Sequence, residues 1–308
     1  MLRSDPTKDA HLELLIKIKR GIEMREGFIE TKGGRIWYSV YGEDKSGTPL
    51  LVLHGGPGFL SMPQGVSDFA VDRPVYFYDQ LGSGKSDRAA DKDYYSVKNF
   101  VNELDEVIME LKLAEVILMG FSWGCGLICS YMLEKKPKRI KAIILSAPYL
   151  SSPLWDKDQR EHIAKMPSEV IKTIEEGEKN NDYGDEYQEA MMEYYQKHVC
   201  NLEPWPDYLQ EAFEKLNMEV YLTMWGPSEF TISGKLKNFD LYPELPKITV
   251  PVLLICGDRD EAGVKTVKDF QMAFPHAQMA VIPQASHLHQ IEQPRIYQII
   301  VNEFLKNK

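Results

Sequence analysis

Gly120-Phe121-Ser122-Trp123-Gly124 places a serine between glycines two residues away on each side. That spacing suits a hydroxyl carried on a sharp strand-to-helix turn, where crowding leaves room for little besides glycine. Ser122 is the expected nucleophile, and attack on a carbonyl carbon is the chemistry it would perform. A serine hydroxyl stays unreactive until a base takes its proton, and the base needs an acid to orient it. Both partners are available downstream. The apolar run 251–256 leads into Gly257-Asp258-Arg259-Asp260-Glu261, and the run 279–283 leads into Gln284-Ala285-Ser286-His287-Leu288-His289. Asp260 is the expected acid, with Asp258 as a rival and helix capping as the ordinary role of either. His287 is the expected base, with His289 two residues on.

The tetrahedral intermediate of such a reaction needs N–H donors aimed at its developing oxyanion. One is expected from the backbone of Trp123, directly after the nucleophile. The other is expected from Gly56, in the glycine-rich turn His54-Gly55-Gly56-Pro57-Gly58 that follows the apolar run 51–53. A different motif fails. Gly82-Ser83-Gly84-Lys85-Ser86 ends like a phosphate-binding loop, but Asp79 stands where the first glycine of that loop belongs, so nucleotide binding is not expected.

These residues require a frame of strands and turns. Short apolar runs at 49–54, 75–79, 115–120, 142–146, 250–257 and 279–283 alternate with helical patterns, the signature of a mostly parallel sheet covered on both faces. Phe28–Thr31 and Ile36–Val40 around Lys32-Gly33-Gly34 predict an antiparallel hairpin before it. Residues 126–133 predict a helix behind Ser122, ended by Pro137. From 150 to 245 the chain turns polar and helical without a strong buried strand. The expected organisation is an α/β core in two parts, 1–149 (with an N-terminal extension, 1–26) and 246–308, interrupted by a helical cap at 150–245. Leu12, Leu15, Ile16 and Ile18 have the spacing of an amphipathic helix in the extension.

With 308 residues, 44% of them apolar, the chain can build one large core. Residues 1–24 carry charges throughout and no signal-peptide pattern, so a cytoplasmic protein is expected. Lys and Arg number 36 against 46 Asp and Glu, a formal net charge of −10. That balance argues against nucleic acid or an anionic membrane as partner and is compatible with a cationic ligand. Cys125, Cys129, Cys200 and Cys256 show no framework or metal-site spacing, and neither metal nor cofactor is expected.

His54–Gly58 as HGGPG, Asp79–Ser86 as DQLGSGKS, Gly120–Gly124 as GFSWG, Gly257–Glu261 as GDRDE and Ser286–Leu288 as SHL, in this order, resemble the proline iminopeptidase family of α/β-hydrolases. The resemblance implies a serine aminopeptidase of α/β-hydrolase fold acting on short peptides or amides with a free amino terminus. Some relatives are amino-acid amidases. Gly226-Pro227-Ser228-Glu229-Phe230 resembles the family's G-P-x-E-F segment, whose glutamate helps hold the substrate's amino group; Glu261 matches a second such carboxylate, and Tyr221 is a weaker carry-over. Proline-selective members commonly read GGSWGG and DQRG where this chain has Phe121, Cys125 and Leu81, and Leu81 resembles the broader-specificity relatives. Trp225, Phe230 and Tyr221 are apolar enough to line a pocket for the first side chain. Activity is expected to fall as His287 protonates below neutrality. An esterase or amidase using the same triad, or a hydrolase-like binding protein, remains open at this point, as does the oligomeric state.

Overall fold

The computed structural model describes residues 23–306 and 308, so the amphipathic spacing at Leu12–Ile18 lies outside the described residues. The predicted hairpin is formed by β1 (Met24–Thr31) and β2 (Gly34–Tyr41), paired antiparallel around a two-residue turn. Then come β3 (Leu50–Leu53), β4 (Val75–Tyr78), α1 (Val97–Glu110), β5 (Val116–Phe121), α2 (Trp123–Lys135) and β6 (Ile140–Ser146). Five helices follow without a strand between them: α3 (Ser152–Ile163), α4 (Ser168–Asn180), α5 (Asp185–His198), α6 (Asp207–Glu214) and α7 (Met218–Met224). The chain returns to the sheet with β7 (Val252–Gly257), α8 (Val264–Ala273) and β8 (Ala277–Ile282), and ends in α9 (His289–Glu292) and α10 (Pro294–Leu305).

One eight-stranded sheet results, in the order β1-β2-β4-β3-β5-β6-β7-β8, parallel from β4 to β8. Side chains alternate across a strand, and the central strands are apolar on both faces. Val116 and Leu118 of β5 pack with Leu104 and Val107 of α1 and Leu127 and Ile128 of α2. Ile117 and Met119 point the other way, into a second cluster with Tyr297, Val301 and Phe304 of α10. Burial on both sides is why these strands read as continuous apolar runs in the sequence.

The helical stretch between β6 and β7 has a cluster of its own, built from Ile163, Val170, Ile174, Tyr187, Tyr194, Tyr195 and Phe230. Its two ends lie side by side: Ser151 and Asp240 form an antiparallel bridge, the Ser152 N–H donates to the Phe239 carbonyl at 2.7 Å, and the Leu241 N–H donates to that of Leu150 at 2.9 Å. Among the described residues no helix is long and apolar enough to cross a membrane.

Candidate active site

The loops at the C-terminal ends of β3, β5, β7 and β8 converge on one cavity, as expected where an open parallel sheet binds its ligand. Ser122 sits between β5 and α2 with φ 49° and ψ −117°, a conformation a non-glycine residue holds only when its surroundings dictate it. The flanking glycines follow from that crowding. A Cβ on Gly120 would stand 2.6 Å from the backbone carbon of Gly124, and one on Gly124 only 2.4 Å from the Leu53 carbonyl oxygen. Cys125, where the resemblance led one to expect glycine, is buried and donates its thiol to the carbonyls of Gly120 and Ser146 at 3.1 and 3.4 Å.

The two aspartates have different partners. Asp260 Oδ1 lies 2.8 Å from His287 Nδ1, and the same carboxylate accepts the backbone N–H groups of Gly257 and Ala262. Asp258 instead accepts the N–H groups of Gln284 and Ala285 at 3.0 and 3.2 Å, bracing the loop that leads to His287. Neither aspartate caps α8, whose N-cap residue is Gly263. His289 is fully buried, its ring between Ser146 Oγ and the Ser286 carbonyl. Ser122 and His287 both line the cavity.

Gly55 and Gly56 also line the cavity, and a Cβ on Gly55 would stand 3.0 Å from Ser122 Cβ. Gly56 has φ +40°, a left-handed conformation that glycine adopts without penalty. The Trp123 side chain is buried and absent from the cavity wall, while its backbone N–H opens α2 beside Ser122.

Tyr221, Glu229 and Glu261 line the same cavity. The Tyr221 hydroxyl donates to Glu229 Oε1 at 2.7 Å. Glu261 is fully buried, and neither of its carboxylate oxygens has a hydrogen-bond partner; Oε2 lies 3.8 Å from His287 Nδ1. Leaving a buried carboxylate unpartnered is costly. Burial pushes the Glu261 carboxyl well above the usual range, and repulsion from Glu229 adds to it; burial likewise raises Glu229, against the Tyr221 hydrogen bond. Burial alone would lower His287, but the charge and hydrogen bond of Asp260, followed by the charges of Glu261 and Glu229, outweigh it and push the imidazole up to about 9. Three carboxylates around one imidazole favour its protonated form, which shifts the expected protonation step to higher pH. His287 in return holds Asp260 far below the usual carboxylate range, against the effect of burial.

Of the aromatic residues expected to line a pocket, only Tyr221 does so. Trp225 packs on Tyr149 at 4.6 Å and Trp155 at 5.7 Å between ring centroids, and Phe230 packs in the helical cluster. The apolar wall is made instead by Phe59, Leu60, Phe121, Phe213, Leu216 and Leu288.

Trp155 of α3 carries a part that no local motif announced. Its indole N–H donates to the Glu229 carbonyl at 2.8 Å, and its ring meets His287 edge-on at 5.9 Å. The Glu229 N–H donates to the Tyr195 hydroxyl at 3.2 Å, and Arg160, paired with Glu178, donates to the Phe230 carbonyl at 2.6 Å. Gln159 donates to the Glu261 carbonyl at 3.1 Å. The helices thus hold both glutamates by side-chain hydrogen bonds.

Comparison with known proteins agrees with this architecture. A family model described as the α/β hydrolase fold matches residues 48–294. A proline iminopeptidase of Heyndrickxia coagulans is 41% identical over 92% of this chain and 99% of that relative. The crystal structure of a proline iminopeptidase of Mycobacterium smegmatis has a TM-score of 0.83 at 29% identity, covering 92% of this chain and 98% of that one. The crystal structure of VinJ has a TM-score of 0.87 at 29% identity, with the same coverage. A fold-family match over residues 48–294, a proline iminopeptidase structure superposing at a TM-score of 0.83 and 41% identity along nearly the whole chain lead to one assignment: this chain belongs to the α/β-hydrolase fold family and, within it, to the proline iminopeptidases.

Proposed function

We propose that the protein is a serine aminopeptidase that releases an N-terminal proline, or another apolar first residue, from short peptides or amides. The observation that carries this reading is the Glu261 carboxylate, fully buried at the cavity wall with both oxygens unpartnered and Glu229 beside it. A protonated α-amino group is a compact cation that would satisfy both carboxylates with charge-assisted hydrogen bonds. The cavity, of about 80 Å³, has room for a few waters, a scale that suits one small apolar residue beside the scissile bond.

In this reading His287 donates its Nδ1–H to Asp260, which leaves Nε2 to take the proton of Ser122 as its oxygen attacks the carbonyl carbon. The oxyanion rests on the N–H groups of Gly56 and Trp123. Collapse breaks the carbonyl–nitrogen bond as His287 protonates the leaving amine, and water then cleaves the acyl-enzyme by the same path. No metal or organic cofactor takes part. Glu229, Glu261 and Tyr221 hold the amine, so cleavage falls one residue from the chain end. Residues 150–245 form the cap that supplies Glu229 and Tyr221, and the described parts of 1–149 and 246–308 form the core.

The test is kcat/KM on prolyl, alanyl, leucyl and phenylalanyl anilides, each with a free and an acetylated amine. Free amines are expected to win by roughly tenfold or more. Glu261→Gln is expected to remove about 10- to 100-fold for free amines and to leave acetylated substrates unchanged. Equal rates on acetylated substrates would overturn the reading and favour an esterase or amidase indifferent to the amine.

A further inference from the structure

Beside the two loops that carry the proposed oxyanion donors lies a third, and one of its side chains touches both. β4 is the neighbour of β3, and β3 of β5, so the turn Asp79-Gln80-Leu81 after β4 flanks the His54-Gly55-Gly56 turn, which flanks Ser122. The Gln80 side chain is buried. Its Nε2 donates to the His54 carbonyl at 3.0 Å, and its Oε1 accepts the Trp123 indole N–H at 3.0 Å. Its backbone N–H also donates to His54 Nε2 at 3.0 Å.

That last bond settles the tautomer of His54. Because Nε2 accepts, the ring proton is on Nδ1, which lies 2.8 Å from the Gly55 carbonyl oxygen and donates to it. Burial keeps the imidazole neutral, lowering its pKa. The Gly55 carbonyl and the Gly56 N–H belong to one planar trans peptide and point in opposite directions. Anchoring the carbonyl on His54 therefore aims the Gly56 N–H the other way. Without that anchor the peptide is free to rotate, since glycine on either side opposes little. At the far end, fixing the Trp123 indole fixes the residue whose own N–H is the second donor.

We propose that the Gln80 side chain is the positioning group that aligns both oxyanion donors: its amide N–H holds the His54 carbonyl, and with it the turn from which the His54 ring anchors Gly55, while its amide oxygen holds the Trp123 indole. It does not line the cavity, so it acts on the reaction without touching substrate. The inference rests on the proposed roles of Gly56 and Trp123, and it makes a prediction that simple support of the fold does not. Interactions formed only in the tetrahedral state should weaken, while those of the bound ground state persist.

The experiment compares the wild type with Gln80→Leu, which removes both side-chain bonds, and Gln80→Glu, which keeps the length and the acceptor facing Trp123 but loses the donor to His54. Four quantities are measured: kcat and KM on the best anilide, the inhibition constant of the corresponding amino aldehyde (prolinal for proline), and that of the free amino acid. The aldehyde adds Ser122 Oγ to its carbonyl carbon and leaves an oxyanion in the hole; the amino acid does not. Gln80→Leu is expected to lower kcat by roughly 10- to 100-fold, to weaken the aldehyde by a similar factor, and to move KM and the amino acid by less than about threefold. Gln80→Glu is expected to show the same pattern at smaller size and gives the readout if the leucine variant does not fold. Aldehyde and amino-acid affinities that fall together, or an unchanged kcat, would overturn the proposal. Failure of the aminopeptidase reading has a separate signature, equal wild-type turnover of acetylated substrates; the Gln80 comparison then runs on the acetylated anilide and acetylated aldehyde with the same outcomes.

Discussion

The sheet and the helical stretch build their halves of the cavity by different means. The sheet's half, Ser122, Gly55 and Gly56, is held chiefly by backbone, with the buried His54 and Gln80 side chains bracing its turns from behind: glycines that admit close approach, a strained elbow, and loops hydrogen-bonded to neighbouring strand ends. The helical half, Glu229 with its neighbours, is held by Trp155, Tyr195 and Arg160, side chains that reach across tens of residues. Backbone support tolerates almost no displacement, whereas side-chain support can be trimmed one bond at a time. Chemistry should therefore respond to substitution in large steps, and recognition in graded ones.

The largest step tests the first half of that contrast. Ser122→Ala should abolish turnover, by roughly 10⁴-fold or more, while free-amine inhibitors still bind and their affinity reads the recognition half alone; residual cleavage near wild-type rate would break the comparison at its base. The pH profile joins the halves. His287 must be neutral to act as base, and in the free enzyme three carboxylates raise it to about 9, so kcat/KM should climb about tenfold per pH unit through neutrality towards that value. An ammonium bound between Glu229 and Glu261 offsets their pull, so the acid limb of kcat should lie at lower pH than that of kcat/KM. Coincident limbs would show that substrate charge does not reach His287.

Glu103 probes the stiffness of the sheet's loops. It is buried on α1, accepts the Leu81 N–H at 3.1 Å, and has its other oxygen unpartnered. Burial raises it to about 8. Because its folded pKa exceeds the unfolded one, its cost is absent where both states are protonated, below about pH 4, grows as the unfolded chain ionises, and is complete above about pH 8. Glu103→Gln should accordingly be stabilising at pH 8 to 9, by up to about 5 kcal/mol, with no gain at pH 4. A melting temperature equally shifted at both pH values would remove ionisation as the cause. Trp155→Phe makes the smallest change, deleting one hydrogen bond to the Glu229 carbonyl. It should raise KM for free amines by about three- to tenfold with kcat nearly unchanged, and a fall in kcat alone would place Trp155 with the chemistry.

The same contrast explains what could be read before the structure. The hairpin, the parallel strands and Ser122, Asp260 and His287 sit in short local patterns, because a residue buried on both faces of a sheet or pressed into an elbow has few substitutes. Asp258 and Asp260 have the same local setting, and the hydrogen bond that tells them apart spans 27 positions. Trp225 and Phe230 looked like pocket walls because aromatic residues suit packing and lining equally. Trp155 reaches Glu229 over 74 positions and Gln80 reaches Trp123 over 43, distances at which spacing carries no signal.

The paired ends of the helical stretch have a consequence of their own. With Leu150–Ser152 hydrogen-bonded to Phe239–Leu241, the chain leaves the sheet and returns to it side by side, through one paired neck. The exposed turn at 180–186, far along the stretch from that neck, can therefore lengthen or shorten without asking β6 and β7 to move. The neck thus works as a hem: it finishes the sheet where the chain leaves it, whatever length of chain is sewn on beyond.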